Sequence, residues 1–179
     1  MPRAMPTEPA HRIEAGYKSQ KDDAIAHGVL ADIREDLLIQ GVKEINYVDV
    51  YLLRGGFSIA ELNLIAEKLM HDPVVQRVSV DAPLFSDFDW EIEVRVRENV
   101  TDNIGIAARI GIEDLLRRAL GRDESVRSAR KYVINGALSE KEAALICTGM
   151  LANPLIEEWK ITRGEGAAGA RKRGNGKAK

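Results

Sequence analysis

The stretch "LMHDPVV", Leu69 to Val75, returns as "MLANPLI", Met150 to Ile156, which sets Pro73 and Pro154 81 positions apart. The same offset relates Tyr51 to Tyr132, Gly55 to Gly136, Ser58 to Ser139, Glu61 to Glu142, Leu64-Ile65 to Leu145-Ile146, and Val80 to Ile161. A fixed spacing kept over that length points to an internal repeat, one supersecondary unit written twice, and the expected fold is one that two copies build together. A unit of about 70 residues buries only about 60% of its unfolded surface, against nearly 70% for about 150 residues. Each copy alone would be marginal. A pseudo-twofold pair is therefore expected, in which the two halves pack together and cover the sheet faces that single units leave bare.

The second copy is the easier to read. In "DWEIEVRVRENV", Trp90, Ile92, Val94 and Val96 alternate with Glu91, Glu93, Arg95 and Arg97, the period-two signature of a strand with one dry face. The spacing then turns helical, with Ile104, Ala108, Ile112, Leu115 and Ala119 on one stripe, Thr101 or Asp102 as N-cap and Gly121 as stop. "SVRSARKYVING" predicts a second strand. "ALSEKEAALICTGMLANPLI" predicts a second helix, opened by a Ser139/Glu142 capping box and ended at Asn153-Pro154, and "LIEEWKI" a last short strand. The first copy gives the same order: "HRIEAGY", a helix from Asp23 to Leu38, "EINYVDVYLL", a helix in "SIAELNLIAEKLM" with Ser58 and Glu61 as capping box, and "VVQRVSV". The fold class is thus α/β in the broad sense (α+β), with mainly antiparallel sheets. The units span 11–81 and 90–162, joined by a linker at 82–89 and flanked by a disordered segment 1–10 and a disordered basic tail 163–179.

Charge narrows the partners. The net charge of -2 conceals a tail, "RGEGAAGARKRGNGKAK", with six Arg or Lys and one Glu, so the remainder holds 20 basic against 27 acidic residues. An acidic body argues against a nucleic-acid platform, which normally shows a basic face. No run approaches the roughly 18 apolar residues of a membrane span, and "MPRAMPTEPA" lacks the apolar core of a secretory signal, so the expected compartment is the cytoplasm. One cysteine, Cys147, excludes an intramolecular disulfide framework and a cysteine-based zinc cluster.

Catalytic signals are weak. Asp102-Asn103-x-Gly105 opens a helix whose free N–H groups could hold an anion, but a simple cap with Gly105 allowing close packing accounts for the same residues. "RGG" at Arg54 to Gly56 lacks the Lys-Ser or Lys-Thr of a phosphate loop and reads as a strand-to-helix turn. Cys147 sits in an apolar helix without a neighbouring base and reads as a packing residue. His11, His27 and His71 have no metal-ligand spacing and read as surface or capping residues. Glu35-Asp36, Glu113-Asp114 and Glu157-Glu158 read as solvated faces.

"DWEIEVRVRENVTDNIGIAARIGIEDLL", "SVRSARKYVING" and "GMLANPLIEEWKI" together resemble the small PurS-type subunit of phosphoribosylformylglycinamidine synthase, or the matching N-terminal domain of fused forms of that enzyme. The resemblance is best over Trp90 to Ile161; Arg12 to Asp81 carries it more distantly, with "KDDAIA" in place of "VTDNIG". It implies a non-catalytic component of an ATP-dependent glutamine amidotransferase ligase in purine biosynthesis. In that complex a PurQ-type glutaminase releases ammonia from glutamine. A PurL-type synthetase, which holds the ATP and magnesium, uses the ammonia to make the amidine. The small subunit bridges the two and assists ammonia transfer, with no cofactor of its own. The candidate partner interface that follows is Thr101, Asp102, Asn103, Gly105, Asn153 and Pro154, and a homodimer is a further assembly that the resemblance implies. Two units in one chain plus a basic tail depart from the separate small subunits.

Two rival readings come from other classes. Tandem strand-helix-strand units also build ACT-like regulatory domains, which bind an amino acid or similar small ligand at the repeat interface. Nucleic-acid binding through Arg171 to Arg173 would show affinity that falls steeply with salt.

Overall fold

The computed structural model describes residues 11–164. Strand, helix, strand, helix, strand occurs twice along them. The first set is β1 (His11–Tyr17), α1 (Ala24–Glu35), β2 (Val42–Arg54), α2 (Ile59–Lys68) and β3 (Gln76–Val80); the second is β4 (Trp90–Val96), α3 (Asn103–Leu116), β5 (Ser125–Gly136), α4 (Glu140–Ile146) and β6 (Glu157–Arg163). The fold is mixed α+β. All six strands form a single sheet in the order β3-β1-β2-β5-β4-β6, antiparallel throughout. No helix among the described residues is long and apolar enough to cross a membrane. The expected disordered segment 1–10 lies outside the described residues, as does the basic tail beyond Gly164; Arg163 itself closes β6.

The halves meet edge to edge, not face to face as the packing argument expected. β2 and β5 pair from Val42–Gly136 to Arg54–Ser125, with Asp49 opposite Arg130 at the middle and Tyr47–Tyr132 and Tyr51–Ser128 on either side. Joining two edge strands satisfies the backbone groups that each half would otherwise leave unpaired. It leaves both sheet faces still to be covered, and they are covered differently.

One face carries Ile13, Ile45, Leu53, Ile92, Tyr132 and Ile134 beneath all four helices. α1 and α4 seal one apolar cluster, α2 and α3 the other, so each cluster draws a helix from both halves. The reverse face carries Val48, Val50, Ala129 and Val133, with Phe85 and Phe88 of the joining segment packed on them. That segment is a strap rather than a plain linker. Leu84 N–H donates to Glu14 at 2.8 Å, Asp89 accepts from Gly136 N–H at 2.8 Å, and Asp89 N–H donates to the Asn135 side chain at 3.1 Å.

Under the strap lies a charge network. Lys131 is 1% exposed and donates to both Glu14 oxygens, at 2.7 and 2.8 Å, with Glu91 at 3.3 Å; Arg12 bridges Glu14 and Glu93 at 2.6 Å each. Burial would raise the Glu14 carboxyl, but Leu84 N–H, Lys131 and Arg12 together hold it below its ordinary value. The second face of β4, which alternation predicts to be wet, is therefore covered as well: Glu93 is buried.

Helix ends also depart from the sequence reading. α3 stops at Leu116 because Arg117 turns left-handed (φ 53), well before Gly121; Ala119 lies beyond the helix. The cause is tertiary. Arg109 donates to the carbonyls of Leu120 and Glu124, and Arg118 pairs with Glu124 and Glu61, so the chain is drawn into a loop that charged side chains satisfy. α4 gives way after Ile146 to one wider turn, Cys147–Leu151, closed by Ala152 N–H on the Cys147 carbonyl at 2.9 Å. α1 ends at Glu35, and Leu38 takes a positive φ beyond it.

Candidate functional site

The sequence-predicted residues gather where β4 leaves the sheet and β6 joins it. Val96 pairs with Glu157 there, Thr101 to Gly105 follow β4, and Asn153-Pro154 precede β6. Asp102 is the N-cap of α3: it accepts Gly105 N–H at 2.8 Å, and from β5 the Ser128 N–H and hydroxyl at 2.6 Å each. Gly105 is buried and has no room for a side chain: an added Cβ would lie 2.5 Å from the Asp102 carboxylate and 3.0 Å from the Val126 carbonyl. Asp23 does the same work in the first half, capping Ala26 at 2.9 Å and accepting Tyr47 N–H from β2 at 2.9 Å. "VTDNIG" and "KDDAIA" thus share one device, a carboxylate that both starts a helix and pins it to the middle strand.

Asn153 and Pro154 likewise make a turn that appears twice. Asn153 accepts Leu155 N–H at 3.0 Å, its own N–H donates to Glu157 at 2.7 Å, and Arg97 donates to the Pro154 carbonyl at 2.8 Å. Asp72 accepts Val74 N–H at 2.8 Å, its N–H donates to Gln76 at 2.9 Å, and Lys18 donates to the Pro73 carbonyl at 2.6 Å. Of the six predicted residues, then, Asp102 and Gly105 hold the fold, while Thr101, Asn103, Asn153 and Pro154 are exposed. Apolar side chains stand beside them in solvent: Leu155 is 84% exposed, Ile104 60% and Ile156 43%.

Next to this end, on the helix-bearing face, a cleft of about 320 Å³ opens over the β2–β5 seam. Its lining includes Tyr47, Asp49, Tyr51, Ser128 and Arg130 from the seam, and Thr101 to Ile104 from the start of α3. Tyr47 donates its hydroxyl to Asp49 at 3.0 Å and meets Tyr132 edge-on, ring centres 5.5 Å apart. Arg130, opposite Asp49 in the ladder, turns away and forks onto Glu157 at 2.7 and 2.9 Å, with the Leu151 carbonyl at 2.8 Å. Burial pushes the Asp49 carboxyl up and the Asp23 charge adds to this, while the Tyr47 hydroxyl partly offsets them. Burial would also raise Glu157, yet the Arg130 fork and Asn153 N–H bring it below its ordinary value.

This cleft is not among the features expected from the sequence, and Glu157 and Glu158 are not the solvated face expected of them. Far from solvated, Glu157 is buried on Arg130, and Glu158 pairs with Arg95 at 2.6 Å. Alternation in "EEWKI" was the available signal, because it puts Glu157 on the same face as Trp159 and Ile161. Glu113 is likewise engaged, accepting Leu120 N–H at 2.8 Å, whereas the expectations for Gly55, His11, His71 and Cys147 fit the geometry. Gly55 takes φ +124 at the turn between β2 and α2; His11 pairs with Asp81 at 2.8 Å; the His71 ring meets the Ala66 carbonyl at 2.9 Å. Cys147 is fully buried, and burial pushes its thiol up to about 12, so it stays protonated near neutrality. No protein-family model matches the chain, and no curated protein matches it.

Proposed function

We propose that this chain is the non-catalytic bridging component of a phosphoribosylformylglycinamidine synthase, aligning a glutaminase with an ATP-dependent synthetase and assisting ammonia transfer between them in the cytoplasm. One observation carries the reading: the six candidate interface residues gather at one end of the sheet, where β4 leaves it and β6 joins it. There Thr101, Asn103 and Pro154 stand outward beside exposed Leu155, Ile156 and Ile104. Large apolar side chains held in solvent by a hydrogen-bonded turn and a capped helix start suit a docking surface. A catalytic site asks for activated polar groups instead, and the strongest nucleophile on this chain, Cys147, is sealed and protonated. ATP and magnesium belong, on this reading, to the synthetase partner.

The test is co-purification with tagged chain from its own cells. Wild-type chain is expected to bring down a glutaminase and a large ATP-dependent ligase. Leu155→Glu, at a site too exposed to matter for folding, is expected to lose at least one of them. Recovery of neither enzyme with the wild-type chain would overturn the proposal.

A further inference from the structure

We propose that the seam cleft is a binding site for a small organic cation, a primary ammonium on a short alkyl chain, with the Asp49 carboxylate as its anchor. The inference does not rest on the bridging reading, although Thr101, Asn103 and Ile104 belong to both surfaces. Asp49 lies at the centre of the β2–β5 ladder and lines the cleft, yet among the described residues it meets one phenol donor, Tyr47 at 3.0 Å, and the charge of a second carboxylate, Asp23, with no cation paired to it. Of the two guanidiniums on the lining, Arg130 is spent on Glu157 and the Leu151 carbonyl, and Arg95 on Glu158. The other lining carboxylate, Asp102, is saturated by Gly105 and Ser128. A carboxylate in a concave, partly desolvated site without a counter-charge favours a ligand that brings one.

The lining also selects which cation. Magnesium or calcium asks for several carboxylate or carbonyl oxygens, and here one carboxylate is open. An ammonium brings three donors, and beside Asp49 the lining holds two hydroxyl-bearing residues, Tyr51 and Thr101, and two aromatic residues, Tyr47 and Tyr51, of the kinds that accept from or attract a cation. Val94, Val96 and Ile104 offer an apolar wall to the alkyl part. The volume, about 320 Å³, is at the small end of ligand sites.

The experiment is titration of the full-length chain, ¹⁵N-labelled, with n-butylammonium, n-butanol and n-butyrate, followed by amide NMR. Butylammonium is expected to bind saturably and to move the Asp49, Tyr51, Asn103 and Ser128 amides most, with butanol and butyrate far weaker. Asp49→Asn keeps the shape and removes the charge; affinity should fall about tenfold or more. Should that variant fail to fold, the map of shifts on the wild-type chain decides by itself. Absence of saturable binding, shifts centred elsewhere, equal binding of butanol or butyrate, or an unchanged affinity in Asp49→Asn would each overturn the assignment.

Discussion

Beneath the four helices Ile13, Ile92 and Ile134 are sealed in apolar clusters, whereas on the reverse face the largest fully buried side chain is Lys131, closed in by Glu14, Glu91 and a strap of nine residues. The difference shows how one sheet can be closed by two kinds of physics. Helices remove apolar area from water with no demand on direction, so a helix from either half can be used, and one from each half is. The strap is too short to do that alone. Long charged side chains fill the space instead, and their directional bonds run from β1 to β5 and from β1 to β4, linking the first half to the second beyond the backbone ladder. Such a network stabilises only while every member has its partner.

The sharpest way to break this comparison is to strip one ion from the strap face. Lys131→Met leaves Glu14 buried without its main counter-charge and is expected to cost about 4 kcal/mol by urea denaturation. Adding Glu14→Leu should return most of it, because a well-packed apolar pair can replace a buried ion pair. A neutral Lys131→Met would show that the strap face is held by Phe85 and Phe88 alone. On the helix face the expected cost is of the packing kind: Ile92→Ala should lose about 3 kcal/mol, with no partner substitution able to restore it.

A smaller effect separates cap from surface. Asp102→Ala removes the α3 cap and leaves Ser128 N–H unpaired, an expected loss of about 2 kcal/mol, and Asp23→Ala should match it in the other half. Asn103→Ala, one residue on and exposed, should stay within about 0.5 kcal/mol and, on the bridging proposal, weaken assembly with the proposed glutaminase and synthetase partners.

The smallest effect is in the pH profile. Glu14 and Glu157 are held below their ordinary value of 4.5, so the stability they add is present above that pH and drains away as pH falls through their lowered values. Asp49 is raised above 3.8 and works the other way: its ionisation costs stability as pH rises, so Asp49→Asn should be slightly more stable than wild type at neutral pH. Thermal melts from pH 3 to 7 check both signs.

Much of this architecture was legible from local pattern. β1 coincides with "HRIEAGY", β4 begins at Trp90 and buries Ile92 and Val94 as alternation requires, and both capping boxes form. These features depend on residues a few positions apart. What stayed hidden depends on distant ones. Arg117 ends α3 because Arg118 finds Glu61, 57 residues away, and Lys131 is buried because Glu14, 117 residues away, lies under the same strap. The same is true of the candidate site. Asp102 and Pro154 stood out as motif residues, but Asp49 and Tyr47 reach the α3 start only when the β2–β5 ladder forms, and nothing in "NYVDVY" announces which face will open into a cleft.

The bridging account is tested most directly by coupling. With glutaminase and synthetase purified separately, the account predicts that leaving out this chain spares amidine formation from supplied ammonia while abolishing its dependence on glutamine, and that adding the chain back restores glutamine-dependent turnover. Full glutamine-dependent activity from the two enzymes without the chain would contradict it.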